Sequence, residues 1–293
     1  MRNKECGIQI YVSVAPLNIS IANNVDNASI RIDLMADLVK GWRNKMADTI
    51  SGIKLILSDA QVFSDAISAV SKLVNEVTIK VLPDHLEVIA LDPANVGMVI
   101  LKIESKAFLG YSGEGNFSIN LPNFKQVLAR REKNATVTLS VDNNQLKVIS
   151  SGKTKKEFTL PLLELEQKEQ KEPELKFNSE ITLENAELRD AIADVEIVAE
   201  SCEFKILDGK FVISSSGDSG KAVSETKGIV RPLVEGAVSK ARYSIEYLNN
   251  MLSAKFKNAK LYLGKDYPMK LHYVSDTGTT SITYILAPRI END

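Results

Sequence analysis

The stretch from Asp59 to Leu91, DAQVFSDAISAVSKLVNEVTIKVLPDHLEVIAL, decides the fold. Val62, Phe63, Ala66, Ile67, Val70, Leu73 and Val74 recur at steps of three and four, which predicts one apolar stripe on a helix. Gln61, Ser64, Asp65, Ser68, Ser71, Lys72 and Asn75 fall on the opposite, polar side. Thr78 to Val81 and Leu86 to Leu91 are rich in β-branched residues and roughly alternate, with the turn signal Pro83-Asp84 between them. That is the pattern of a hairpin. A lone helix–hairpin unit cannot bury the helix stripe, so the fold turns on whether the unit recurs.

It does recur. Asp65-Ala66-Ile67-Ser68-Ala69-Val70 is matched 125 positions later by Asp190-Ala191-Ile192-Ala193-Asp194-Val195. The strands that follow match as well, Thr78 to Val81 with Glu203 to Ile206 and Leu86 to Ala90 with Phe211 to Ser214. A second unit returns at nearly the same offset. Phe117 to Leu121 and its helix (Phe124, Val127 and Leu128 inside; Lys125, Arg130 and Arg131 outside) pair with Tyr243 to Leu248 and its helix. Thr136 to Val141 and Leu146 to Ile149 reappear as Lys260 to Leu263 and Met269 to Val274. Matched offsets at two separate units imply an internal duplication. The expected class is α+β, with two tandem domains. Each holds two strand-helix-strand-strand repeats, the helices on one face of largely antiparallel sheets.

Between the duplicated halves, Glu166-Gln167-Lys168-Glu169-Gln170-Lys171-Glu172-Pro173-Glu174 is polar, charged and ends near a proline, as a linker does. The expected boundaries are 53–163 for the first domain, 164–174 for the connecting loop and 175–293 for the second. Residues 1–52 differ from everything after them. They are read as a poorly ordered extension, or as sequence upstream of a true start at Met46.

Composition bounds the function. The chain has 293 residues, 44% apolar and 25% charged, so it can build one large or two medium cores. A formal net charge of −2 excludes global attraction to nucleic acid or anionic membrane, leaving only a local basic surface for such binding. Cys6 and Cys202 stand in no metal-ligand spacing and read as free thiols of a reducing compartment. No apolar run approaches the roughly 20 residues of a membrane span. Pro16, Asn18 and Ser20 interrupt the apolar segment Ile8 to Ala22, which makes it a poor signal peptide. A cytoplasmic, nucleoid-associated protein is expected.

Catalytic groupings are missing from the pattern. His85 lies in a hairpin turn and His272 in a strand, isolated from each other. No glycine-rich loop leads into a helix with a following lysine. Ser214 to Gly220 resembles a phosphate nest but has no evident helix after it, and reads as a flexible loop. No catalytic residue, cofactor or metal site is expected. A binding or scaffold protein is.

Leu91-Asp92-Pro93-Ala94-Asn95-Val96 after the opening unit, and Tyr284-Ile285-Leu286-Ala287-Pro288-Arg289-Ile290 near the end, resemble the corresponding motifs of sliding clamps of the proliferating cell nuclear antigen type, closest to archaeal members. Tyr247-Leu248-Asn249 and Asp266-Tyr267-Pro268 fall where that family has similar residues, and the resemblance spans Ile53 to Glu291. It implies a ring of three like or sister subunits around duplex DNA. It also implies partners, namely DNA polymerase, clamp loader, flap nuclease and ligase, held through short peptide motifs. A checkpoint or scaffold ring that does not serve polymerases is the alternative.

The resemblance further implies where the sites lie. DNA phosphates would meet Lys72, Lys125, Arg130, Arg131, Arg189 and Lys255. Partner peptides would dock against Leu91, Val96, Met98, Pro173, Pro268 and Ile285, with Ala287-Pro288-Arg289 supplying backbone partners. An edge strand around Leu146, Val148 and Ile149 would meet a neighbour's strand around Ala222, Val223 and Thr226. Helix positions that are often lysine in the family are Ser64, Asp65, Gln126, Ala129 and Ser253 here, which lowers the expected grip on DNA.

Overall fold

The computed structural model describes residues 52–58, 60–165 and 170–289. These belong to one compact unit. The extension up to Ser51, with Cys6 and Met46, lies outside the described residues, as do Asp59, the connecting-loop residues 166–169 and the C-terminal 290–293.

The opening unit folds as strand, helix and hairpin. Strand β1 (Ile53–Leu57) leads to helix α1 (Gln61–Val70), then β2 (Glu76–Val81) and β3 (His85–Leu91). Phe63, Ala66, Ile67 and Val70 of α1 are buried, as the stripe requires. Two residues depart from it. Val62 is 47% exposed, and Ser64, placed on the polar side, is buried. The helix closes at Val70, so Leu73 and Val74 pack from the turn beyond it.

Strands β4 (Gly97–Glu104), β5 (Gly110–Ser112) and β6 (Gly115–Asn120) follow, then helix α2 (Leu121–Ala129). The Asn120 side chain caps α2, accepting the Asn123 N–H at 3.0 Å, and Pro122 occupies the first turn, where no N–H is needed. Strands β7 (Thr136–Asp142) and β8 (Gln145–Ser151) are joined by Asn143-Asn144, both at positive φ, which suits a two-residue hairpin turn. Strand β9 (Lys155–Pro161) completes this half.

The second half repeats the order with β10 (Ser179–Glu184), α3 (Asn185–Glu196), β11 (Ser201–Leu207), β12 (Lys210–Gly217), β13 (Gly220–Glu225) and β14 (Ile229–Pro232). It ends with β15 (Lys240–Ser244), α4 (Ile245–Leu252), β16 (Asn258–Leu263), β17 (Met269–Val274) and β18 (Thr280–Leu286). Helix α1 packs beside α2, and α3 beside α4. All named strand pairs are antiparallel.

Among the described residues three sheets form, ordered β5-β1-β7-β8-β9, β14-β10-β16-β17-β18-β4-β3-β2-β6 and β13-β12-β11-β15. The nine-stranded sheet fuses the halves. Its strands β4 and β18 pair over seven positions, from Thr280 with Ile103 to Leu286 with Gly97. The architecture is α+β, with two halves of like element order sharing one sheet.

Two sequence expectations need correction. Strand β8, with Leu146 and Val148 buried, is interior, and the sheet's edge is β9. Ser214 to Gly220 is no loop. Strand β12 runs to Gly217, which pairs with Gly220 of β13 across Asp218-Ser219. Strand β13 is an edge, with Val223 59% exposed, but Thr226 beyond it is buried and bonds the Phe211 carbonyl.

Candidate functional site

Two surfaces carry the candidate residues. The first is the open face of the nine-stranded sheet at the end where β3 stops and β4 begins. Across that end Leu91 faces Met98, Met98 faces Ile285, Ile285 faces Lys270, and Lys270 faces Tyr262. One rung thus crosses five strands drawn from both halves. Leu91 and Met98 are half-buried and Ile285 is 8% exposed, so the Leu91–Met98–Ile285 part of the rung is an apolar platform.

The wall beside the platform is the loop Asp92 to Val96, and it is organised by Asp92. Its buried carboxylate accepts the N–H groups of Ala94 (3.0 Å), Val96 (2.7 Å) and Gly97 (2.6 Å). It also accepts the Tyr247 hydroxyl at 2.6 Å, a contact from α4 in the other half. A Cβ at Gly97 would come within 3.2 Å of the Tyr247 ring, so the tyrosine lies flush against this turn. The hydrogen bond to Asp92 and then desolvation push the Tyr247 hydroxyl up to about 12, keeping it a donor.

The chain after β18 closes the wall from the other side. Ala287 donates to the Val96 carbonyl at 2.9 Å, and Arg289 donates to the Arg242 carbonyl of β15 at 2.7 Å. Pro268 precedes Met269, whose partner is Leu286. Leu91, Val96, Met98, Pro268, Ile285 and Ala287-Pro288-Arg289 therefore gather at one end of four adjacent strands. Pro173 is exposed on the connecting loop, beside Glu172, which bonds Lys270 Nζ at 2.8 Å.

Sequence reasoning missed two parts of this face. One is the Asp92–Tyr247 bond, although both residues stood in the quoted motifs. The other is an aromatic group in which Phe177 contacts Tyr262 (centroids 5.6 Å apart) and Tyr267 (6.0 Å). No local pattern links residues so far apart in sequence.

The second surface is formed by the helices. Three of its candidate cations are engaged with neighbouring helix residues. Lys125 Nζ bonds Ser71 Oγ at 3.3 Å, and Arg131 bonds Gln61 Oε1 (2.6 Å), Ser64 Oγ (3.2 Å) and the Leu128 carbonyl (2.9 Å). Lys255 pairs with Asp65 at 3.0 Å, joining the turn after α4 to α1. Ser64 is buried beneath Arg131, which explains its departure from the polar side. Lys72, Arg130 and Arg189 are exposed.

Cys202 is a buried free thiol whose pKa burial pushes up to about 12, so it is inert at neutral pH. Among the described residues no group of three or more His, Cys, Asp or Glu side chains is placed to hold a metal ion, and no helix is long and apolar enough to cross a membrane.

Residues 53–170 match the family model for the proliferating cell nuclear antigen N-terminal domain. The DNA polymerase sliding clamp of Methanocella arvoryzae is 31% identical over 243 residues, covering 80% of this chain and 98% of that protein. Among solved structures, that of the C-terminal region of FEN-1 bound to A. fulgidus PCNA aligns with a TM-score of 0.73 at 26% identity, over 82% of this chain and all of the clamp. The PCNA2–PCNA3 complex from Sulfolobus tokodaii aligns with a TM-score of 0.72 at 25% identity, over 81% of this chain and all of that one.

Proposed function

The chain belongs to the proliferating cell nuclear antigen family of DNA sliding clamps, and from that premise we propose that it works as a non-catalytic ring of three subunits around duplex DNA. It tethers DNA polymerase and receives clamp loader, flap nuclease and ligase through short peptides. The observation that carries the docking part is the apolar rung Leu91–Met98–Ile285, walled by the Asp92 loop and the pinned tail. Apolar anchors within such a wall suit a short extended peptide. A flap-nuclease segment is bound to the A. fulgidus clamp, and two different subunits meet in the S. tokodaii complex. Both arrangements are open to this chain.

The two domains take the boundaries 53–163 and 175–293, joined by the loop 164–174, and the protein works in the cytoplasm on the nucleoid. Because a closed ring holds DNA by topology, its phosphate contacts need only be weak and sequence-blind. The helix surface suits such contacts, since exposed Lys72, Arg130 and Arg189 lie among cations already bonded to protein groups.

Primer extension on a long single-primed template, with an archaeal polymerase and loader, tests the polymerase role. Added clamp should lengthen the products at high salt, where the polymerase alone dissociates. Unchanged product length would instead favour the scaffold ring. A separate prediction concerns docking. Met98→Glu places a carboxylate in the middle of the platform, and a bound peptide would bury it unpaired. Affinity for a clamp-binding peptide should fall on the order of a hundredfold by fluorescence anisotropy, since about 3 kcal/mol is lost. A loss under threefold removes Met98 from the site.

A further inference from the structure

Next to the apolar rung, the same sheet face carries a polar groove of about 230 Å3. Two residues along each strand from Met98, Ile285 and Lys270, Ile100 faces Thr283 and Thr283 faces His272. The groove thus runs from the Lys270–Tyr262 end of the first rung into the next rungs of the same face. Ser281, Thr283 and Tyr262 bring hydroxyls to it, and Lys102 and Lys270 bring ammonium groups. Lys102 lies 3.5 Å from Glu87 on the neighbouring strand. His272 contributes no charge at neutral pH, because burial and then Lys270 hold its pKa below the ordinary value.

Among the described residues one carboxylate lines the groove, and it comes from the connecting loop. Glu172 reaches Lys270 Nζ at 2.8 Å, with the two side chains 34% and 28% exposed. The sheet therefore offers a cationic, hydroxyl-rich slot, and the chain's own loop fills it with a carboxylate. We propose that this groove is an acidic-residue subsite: an aspartate or glutamate flanking the apolar anchors of a partner peptide replaces Glu172 on Lys270 and frees the loop. The inference rests on the peptide-docking reading above. It is supported by charge complementarity and by continuity of the groove with the platform.

The subsite would make the clamp select among partners that share the same anchors. A peptide with a carboxylate at the right spacing keeps Lys270 paired when Glu172 leaves. A neutral peptide must either leave Glu172 in place or strand the lysine.

The test uses fluorescein-labelled synthetic peptides with constant apolar anchors and either glutamate or glutamine at successive positions on both flanks, binding to the full chain at low salt. At one position, or two neighbouring ones, glutamate should tighten binding roughly three- to tenfold, an advantage that shrinks as salt screens it. Lys270→Met should erase this preference, so that the glutamate and glutamine peptides bind equally well. Glu172→Gln, on the loop and away from the core, should tighten the glutamate peptide further, about threefold, because it removes the internal competitor. If anchored peptides bind yet show no preference at any position, the subsite is overturned and the docking reading stands. If no anchored peptide binds, the docking reading itself falls, and the subsite with it.

Discussion

Replacing Asp92 with alanine should lower the unfolding free energy by about 3 kcal/mol and slacken the wall of the docking platform. The residue is 4% exposed and accepts four hydrogen bonds, from Ala94, Val96, Gly97 and Tyr247. Bonds to a charged acceptor are worth roughly 1.5–3 kcal/mol each, and truncation leaves buried donors unpaired. Backbone relaxation and water entry recover part of that sum, which brings the expected loss to about 3 kcal/mol. Tyr247→Phe removes one donor and should cost about 1.5 kcal/mol, with less effect on peptide binding. Urea denaturation of the three proteins measures both. A change below 0.5 kcal/mol for Asp92→Ala, about the scatter of ordinary surface substitutions, would show that the loop holds its shape without the carboxylate.

The same site gives a pH signature. Burial, the largest influence on Asp92, raises its pKa, but the Tyr247 hydroxyl and the N–H groups of Gly97, Ala94 and Val96 together outweigh it and leave the pKa below 3.8. A carboxylate depressed on folding stabilises the protein fully above its unfolded pKa, and the contribution is lost as pH falls through the folded value. The gap between wild type and Asp92→Ala should therefore be flat near neutrality and narrow only below about pH 4. A gap that closes between pH 6 and 8 would assign the effect to another group.

Much of the fold was legible because it is periodic. The stripe Phe63, Ala66, Ile67 and Val70 and the 125-residue recurrence each state a rule that the folded chain obeys. Strand neighbours are a different matter. Alternation along Gln145 to Ser151 reports which side chains face the core, and an edge strand and an interior strand share that pattern. The better edge signal was the segment Lys155 to Pro161, with paired lysines, a glutamate and a terminal proline, as edges often carry. The serine-rich end of β12 looked like a loop because composition is silent about pairing partners, and Gly217 opposite Gly220 allowed the tight return.

The residues proposed for docking come chiefly from the motifs at 91–96 and 284–290, and the structure brings those motifs onto neighbouring strands. What joins them was out of reach of spacing, since Asp92 and Tyr247 stand 155 positions apart. The helix cations show the same limit. Their place on polar faces was evident, whereas the engagement of Lys255 with Asp65, across 190 positions, depends on how the halves meet. Lysine content of the helices therefore overstates the charge left over for phosphates.

The ring itself makes the remaining strong prediction. Strands β9 and β13 are free edges of separate sheets, one in each half, and a free edge otherwise invites uncontrolled pairing. If β9 of one copy pairs with β13 of the next, each contact is head-to-tail, and repetition by a fixed rotation closes a ring with those edges covered. Val223 on β13 is 59% exposed in the single chain, and Ile197, just past the helix that packs on β13, is 81% exposed. Both would be covered by such a contact. Val223→Glu should therefore leave the subunit's own stability within about 0.5 kcal/mol of wild type, as for an exposed site. Assembly should suffer far more. Burying the new carboxylate against the neighbouring edge costs on the order of 3 kcal/mol per contact, a hundredfold in its dissociation constant. Light scattering across a concentration series, alone and with any sister subunit that completes the ring, should show trimers giving way to monomers at micromolar protein. A variant that assembles as tightly as wild type would remove β13 from the contact and move the ring seam to another edge.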